Sequence, residues 1–221
     1  MIPIEQIKQY YSPTEQKKLT CLIKEDIQLQ ILNFLSSTRY AQKLCFIGGT
    51  NLRLIHGIDR FSEDLDFDIK KLDRTEFKEM TNAVKSHLKN SGYPVSANYQ
   101  KEEKLKAFRC VLDFPNFAYE YGLSPHKDKK FMIKIECQDQ GVNYIPQVHI
   151  VSRNNYFFNF PTPSVGVLCS KKISALLNRQ KGRDFYDVMF LLNKTTPNMF
   201  FLKERNGINN LIELKEALLS K

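Results

Sequence analysis

The residues best placed to do chemistry lie between Phe46 and Asp68, in the run FIGGTNLRLIHGIDRFSEDLDFD. Side chains on a strand alternate between two faces, so an extended run after Glu63 puts Asp64, Asp66 and Asp68 together. Leu65, Phe67 and Ile69 then point the other way, into a core. Three carboxylates on one face repel each other, a cost that a bound cation removes, and carboxylate oxygens are the ligands Mg²⁺ prefers. Upstream, Gly48 and Gly49 permit a tight turn with close backbone approach. Thr50 is expected to cap the short helix that follows. A strand, a glycine turn and a helix start present free N–H groups to an anion such as phosphate, and Arg60 and Ser62 can add contacts to its oxygens. A lone Gly-Gly is usually only a turn, and a lone Asp-x-Asp usually a solvated strand edge. Together, in this order, they describe a metal-dependent phosphate site.

The elements that must hold these residues follow from local pattern. Leu44 to Ile47 reads as a short buried strand entering the glycine turn. Before it, Ser12-Pro13-Thr14-Glu15 is a capping box with proline at the first helical position, expected to open one helix that carries Leu19, Leu22, Ile23, Ile27, Ile31, Phe34 and Leu35 to near Ser36. No chemistry is visible on that helix. After the acids, Asp73 caps a helix with Phe77, Met80, Val84 and Leu88 on one stripe, stopped by Asn90-Ser91-Gly92. Strands are expected over 104–114 and 130–138. In the second, Phe131, Ile133, Ile135 and Cys137 alternate with Met132, Lys134 and Glu136. Phe160-Pro161-Thr162-Pro163-Ser164 reads as a linker, because two prolines interrupt regular structure. Helices then follow over 165–179, 183–193, from Thr196-Pro197, and over 209–220. The expectation is an α/β (α+β) fold: residues 1–160 form a mixed sheet flanked by helices, and 161–221 a C-terminal helical bundle.

Charge and cysteine content narrow the partners. Lys and Arg number 33 against 24 Asp and Glu, a net charge of +9, which favours a polyanion. The five cysteines show no zinc spacing and no disulfide framework, as in a reducing compartment. The first residues lack a secretory pattern, no apolar run approaches membrane length, and a cytoplasmic location is expected. The histidines form no ligand motif. On a helix, Asp184 and Asp187 share a face, with Lys172, Arg179, Lys181 and Arg183 nearby; by themselves these read as a salt-bridged helix pair.

Two stretches carry a family resemblance. Gly48-Gly49-Thr50-x-Leu52-Arg53-Leu54 followed by Arg60-x-Ser62-x-Asp64-x-Asp66-Phe67-Asp68, and later Lys172-x-x-Ala175-Leu176-Leu177-x-Arg179-x-Lys181-x-Arg183-Asp184-x-Tyr186-Asp187, resemble the AbiEii/AbiGii toxin family of the polymerase-β-like nucleotidyltransferase superfamily. The resemblance implies transfer of NMP from an NTP to an acceptor, the 3′ end of tRNA in related proteins, by a toxin of a type IV system with a separately encoded antitoxin. It implies Asp64 and Asp66 as ligands of one or two Mg²⁺ ions. A third carboxylate from a neighbouring strand, here Glu136, would complete the metal site and take the proton of the attacking hydroxyl. Its alternative is an ion-pair partner for Lys134 or for another lysine across the sheet. Gly48, Gly49, Thr50, Arg60, Ser62 and Lys172 are implied to bind the nucleotide, with Asp184 orienting Lys172 or the substrate. A small-molecule or protein acceptor, or a non-catalytic module that binds RNA or a partner protein, are the alternatives.

Overall fold

Alternation builds the sheet that carries the acids. The computed structural model describes residues 3–99 and 107–220. In chain order, α1 (Ile4–Lys8), α2 (Pro13–Gln16) and α3 (Leu19–Ser36) precede β1 (Leu44–Ile47), α4 (Gly48–Leu54) and β2 (Asp64–Ile69). Then come α5 (Arg74–Asn90), β3 (Ser96–Tyr99), β4 (Ala107–Asp113), α6 (Phe117–Glu120), β5 (Met132–Gln138), β6 (Gln147–Arg153) and β7 (Tyr156–Thr162). Four helices close the chain: α7 (Val165–Arg179), α8 (Gly182–Leu192), α9 (Met199–Asn206) and α10 (Leu211–Leu219). The expected strand over 104–114 begins on residues outside those described, at 104–106.

Two compact units divide the chain: Met1–Asp139 with Val148–Pro161, and Gln140–Gln147 with Thr162–Lys221. Residues 140–147, placed by sequence with the first segment, therefore cluster with the second. The first unit is built on a five-stranded sheet of order β1-β2-β5-β4-β3, with β6 and β7 as a separate pair. The β2–β5 pair is parallel and the other pairs of the large sheet are antiparallel, so the sheet is mixed. Leu65, Phe67, Ile133, Ile135, Cys137, Cys110 and Leu112 are buried in one core with the stripe Phe77, Met80, Val84 and Leu88 of α5. Apolar burial of this kind is the main stabilising term. In the second unit, Val142, Val167 and Phe201 form a small core with Tyr144 packed against it, and the Ser170 hydroxyl donates to the Gly166 and Asn198 carbonyls at 3.1 and 3.0 Å. Among the described residues no helix is long and apolar enough to cross a membrane.

Several local expectations are corrected. The Ser12–Glu15 capping box forms, but it caps only the single turn of α2. The chain leaves helical geometry at Lys18 (φ −101°, ψ 47°), and α3 begins afresh at Leu19. Pro161 lies within β7 rather than in a linker. A two-stranded sheet has only edge strands, which is where a proline is tolerated in a sheet. The helix after Pro197 starts at Met199, capped by the Asn198 side chain, which accepts from the Phe201 N–H at 2.8 Å.

Helix α3 also carries polar residues that periodicity passed over. Lys24, Glu25, Asp26, Gln28 and Gln30 are all buried. Glu25 accepts from Arg53 Nε at 3.0 Å, from Arg153 Nε at 3.1 Å and from the Tyr11 hydroxyl at 3.1 Å. Arg53 also pairs with Glu15. This network anchors α4, and with it the glycine turn.

Asp26 gives a pH dependence. Burial pushes its carboxyl up from 3.8 to about 6, against a hydrogen bond from Gln30 that favours the anion. Between those values the folded state holds more protons than the unfolded one, so this group's contribution falls as pH rises through the window and is constant above it. A two-unit shift corresponds to about 3 kcal/mol. Asp26→Asn is expected to stabilise the protein by about 1–3 kcal/mol at pH 7.5 and by little at pH 4. Urea unfolding at both pH values checks this, and equal effects at the two would contradict it.

Candidate active site

The site is assembled where β1 turns into α4 beside β2. Ile47 pairs with Asp66 across the antiparallel β1–β2 ladder, so the next residue, Gly48, meets the Asp66 side chain. Gly48 has φ +85°, and a Cβ built on it would lie 2.3 Å from Asp66 Oδ2. Only glycine takes that backbone without strain and leaves room for the carboxylate. A Cβ on Gly49 would lie 2.6 Å from Ser62 Oγ and 2.8 Å from an Arg60 terminal nitrogen. Gly48, Gly49, Asp66, Arg60 and Ser62 therefore converge on one turn.

Three side chains lock that turn. The Thr50 hydroxyl donates to the Asp64 carbonyl, tying α4 to β2. Asn51 Nδ2 donates to the Phe46 carbonyl at 2.8 Å, tying α4 to β1. Gln28 Nε2 donates to the Ser62 carbonyl at 3.1 Å, tying the loop before the acids to α3. Thr50 thus does not cap α4: it lies within the helix, is buried, and its hydroxyl is taken up by β2.

Across the sheet, register sets the electrostatics. Asp64 lies opposite Lys134, and Asp66 opposite Glu136, in the β2–β5 pair; Glu136 in turn lies opposite Arg109 on β4. Paired positions share a face, so Asp64, Asp66, Lys134, Glu136 and Arg109 form one charged surface. Lys134 Nζ is 3.2 Å from Asp64 Oδ2 and 3.7 Å from Glu136 Oε2. Arg109 Nε donates to Glu136 Oε2 at 2.7 Å. Glu136 is thus an ion-pair partner of Arg109 as well as of Lys134. Among the described residues no group of three or more His, Cys, Asp or Glu side chains is arranged to hold a metal ion. Arg109 went unremarked in sequence because its partner comes from a strand 27 residues later; its one signal is its place between Phe108 and Cys110 in an alternating run.

The second motif forms its own cluster on α7 and α8. Lys172 Nζ pairs with Asp187 Oδ2 at 2.8 Å. Asp184 is fully buried, and both its oxygens accept from Arg179, at 2.9 and 2.7 Å. Burial pushes the Asp184 carboxyl up, but the Arg179 hydrogen bonds and charge outweigh this and hold it below its ordinary value. The ion-pair partner of Lys172 is Asp187, and Asp184 interacts with Lys172 through charge. The two acids share a helix face, and the packing of α7 on α8 decides between them.

A mixed sheet flanked by helices, with paired strand carboxylates beside a glycine turn, defines the class as a nucleotidyltransferase fold. Solved structures agree. MenT4, a nucleotidyltransferase toxin from Mycobacterium tuberculosis, matches with a TM-score of 0.63 at 14% identity, over 92% of this chain and 68% of that one. JHP933 from Helicobacter pylori matches with a TM-score of 0.57 at 19% identity, over 90% of this chain and 87% of that one. An antigenic nucleotidyltransferase-like protein from Paracoccidioides brasiliensis matches with a TM-score of 0.53 at 16% identity, over 88% of this chain and 87% of that one. No curated protein sequence matches the chain.

The family model described as "Nucleotidyl transferase AbiEii toxin, Type IV TA system" matches residues 30–215, and the chain belongs to that family. It is a nucleotidyltransferase of a type IV toxin–antitoxin family, and that membership implies a cognate antitoxin.

Proposed function

We propose that the protein transfers NMP from a Mg²⁺-bound NTP to an RNA acceptor, the 3′ end of tRNA, in the cytoplasm. The observation that carries this reading is the contact between the glycine turn and the acids: the space a Gly48 side chain would fill holds Asp66 Oδ2. A phosphate on the turn and a cation on Asp66 would therefore be neighbours. Mg²⁺ at such sites is held by one or two carboxylates plus substrate phosphates, and Asp64 with Asp66 meets that demand without a third acid. The chemistry a bound Mg²⁺ supplies is neutralisation of charge on the transferring phosphoryl group.

The protein's own residues position the reactants. Arg60 and Ser62, set against Gly49, hold the triphosphate, and the backbone at Gly48 and Gly49 admits it closely. Lys172, paired with Asp187, is a compact charge of the kind suited to holding phosphate. The acceptor hydroxyl oxygen attacks the α-phosphorus and its proton passes to water, as the bond to the bridging oxygen breaks and pyrophosphate leaves. Positioning and charge neutralisation supply most of the acceleration in such transfers. A net charge of +9 supports a polyanionic acceptor.

The test is incubation of the purified protein with Mg²⁺, total tRNA and each α-labelled NTP in turn. Label is expected on RNA, and it is expected to vanish with Asp64→Ala or on chelation of the metal. Label on a protein or a small molecule instead would overturn the acceptor. Label on nothing, with wild type and Asp64→Ala indistinguishable, would overturn the enzyme reading.

A further inference from the structure

Lys134 lies among the carboxylates of this face. Its ammonium bridges two acids, 3.2 Å from Asp64 Oδ2 and 3.7 Å from Glu136 Oε2. Arg109 holds the same Glu136 oxygen at 2.7 Å. All of these side chains are partly buried, between 21 and 33% exposed, so the charges act on each other through less water than at an open surface. The arrangement is fixed by register, since Asp64 faces Lys134 and Asp66 faces Glu136. Lys134 and Arg109 thus offset part of the negative charge of Asp64 and Glu136, which leaves less charge to draw in a second divalent ion.

We infer that Lys134 is a built-in cation that takes the place of a second metal ion, and that Glu136 is its anchor, with Arg109, rather than a metal ligand. The inference rests on the metal reading proposed above. It makes Lys134 a positioning residue. By holding Asp64 through Oδ2 it orients that carboxylate, and by its charge it limits the platform to a single ion. Glu136, gripped by Arg109, keeps Lys134 over the sheet.

Metal stoichiometry tests this without reference to turnover. Mn²⁺ is titrated into the full chain in the presence of a saturating NTP analogue that cannot transfer, and free ion is counted by electron paramagnetic resonance against the analogue alone. Wild type is expected to bind one Mn²⁺ on this platform, a site that Asp66→Asn removes. Lys134→Met is expected to bind two, the first about 10-fold more tightly than wild type. Lys134→Arg, which restores the charge, is expected to bind one. Glu136→Gln is expected to keep the single site within about 3-fold, since a metal ligand would cost far more. Should Lys134→Met fail to fold, Lys134→Gln gives the same comparison, and Glu136→Gln tests separately whether that acid is a ligand. Two sites in wild type, an unchanged isotherm in the neutral variants, or loss of the site in Glu136→Gln would each overturn the inference and leave the metal reading standing. No Mn²⁺ bound by wild type would overturn both.

Discussion

Replacing Gly48 with alanine is expected to lower nucleotidyl transfer by about 100-fold or more while the protein stays folded. Two effects add at this position. The backbone sits at φ +85°, where an L side chain costs about 1–2 kcal/mol. The new methyl would also lie 2.3 Å from Asp66 Oδ2, 2.8 Å from Asp66 Cβ and 2.9 Å from Asp66 Cγ. Contacts that short to Cβ and Cγ cannot be relieved by turning the carboxylate alone. Asp66 must move, or β1 and β2 must part. A displacement of about 1 Å at a reacting site costs about 100-fold. Gly49→Ala is the control. Its methyl would meet Ser62 Oγ at 2.6 Å and the end of Arg60 at 2.8 Å, both tips of side chains that can swing aside, and its backbone φ is not positive. Activity of Gly49→Ala is expected to fall less than that of Gly48→Ala. Equal losses, or a fully active Gly48→Ala, would contradict the geometry.

Asp66→Asn is expected to remove transfer on the order of 10³-fold, with stability within about 1 kcal/mol of wild type. The amide matches the carboxylate in size, so the turn and the β1–β2 ladder keep their packing. What changes is one formal charge on a face that also holds Asp64 and Glu136, with Glu136 directly opposite in register. Like charges placed opposite each other do not favour the fold. A large loss of activity without a loss of stability separates a functional carboxylate from a structural one. Steady-state transfer and urea unfolding on the same preparation give both numbers. A variant that is destabilised but active would reverse the assignment.

The parts of this site that could be read from sequence are those set by neighbours in the chain. Period-two alternation placed Asp64, Asp66 and Asp68 opposite Leu65, Phe67 and Ile69, and β2 has that arrangement, with Leu65, Phe67 and Ile69 buried. Asp73 and Glu76 make the capping box that starts α5, again a matter of residues three apart. What escaped depends on distant segments. Glu136 and Lys134 reach β2 by a parallel pairing some seventy residues on, and Arg109 reaches Glu136 from the other side. No local pattern announces such a register. Helix α3 read as a plain core helix because only its apolar residues were periodic, yet Glu25 and Gln28 on it brace α4 and the loop at Ser62. Pro161 signalled a break where an edge strand could absorb it. The choice of Asp187 over Asp184 as the partner of Lys172 rests on how two helices pack, which residue spacing leaves open.

The most direct measurement is a crystal structure of the protein grown with Mn²⁺ and an NTP analogue that cannot transfer, with data collected at a wavelength where manganese scatters anomalously. The account predicts a manganese peak within coordinating distance of the Asp64 and Asp66 carboxylates, and triphosphate density over Gly48 and Gly49 reached by Arg60 and Ser62. A peak bound elsewhere, or a nucleotide seated away from that turn with both aspartates untouched, would contradict it.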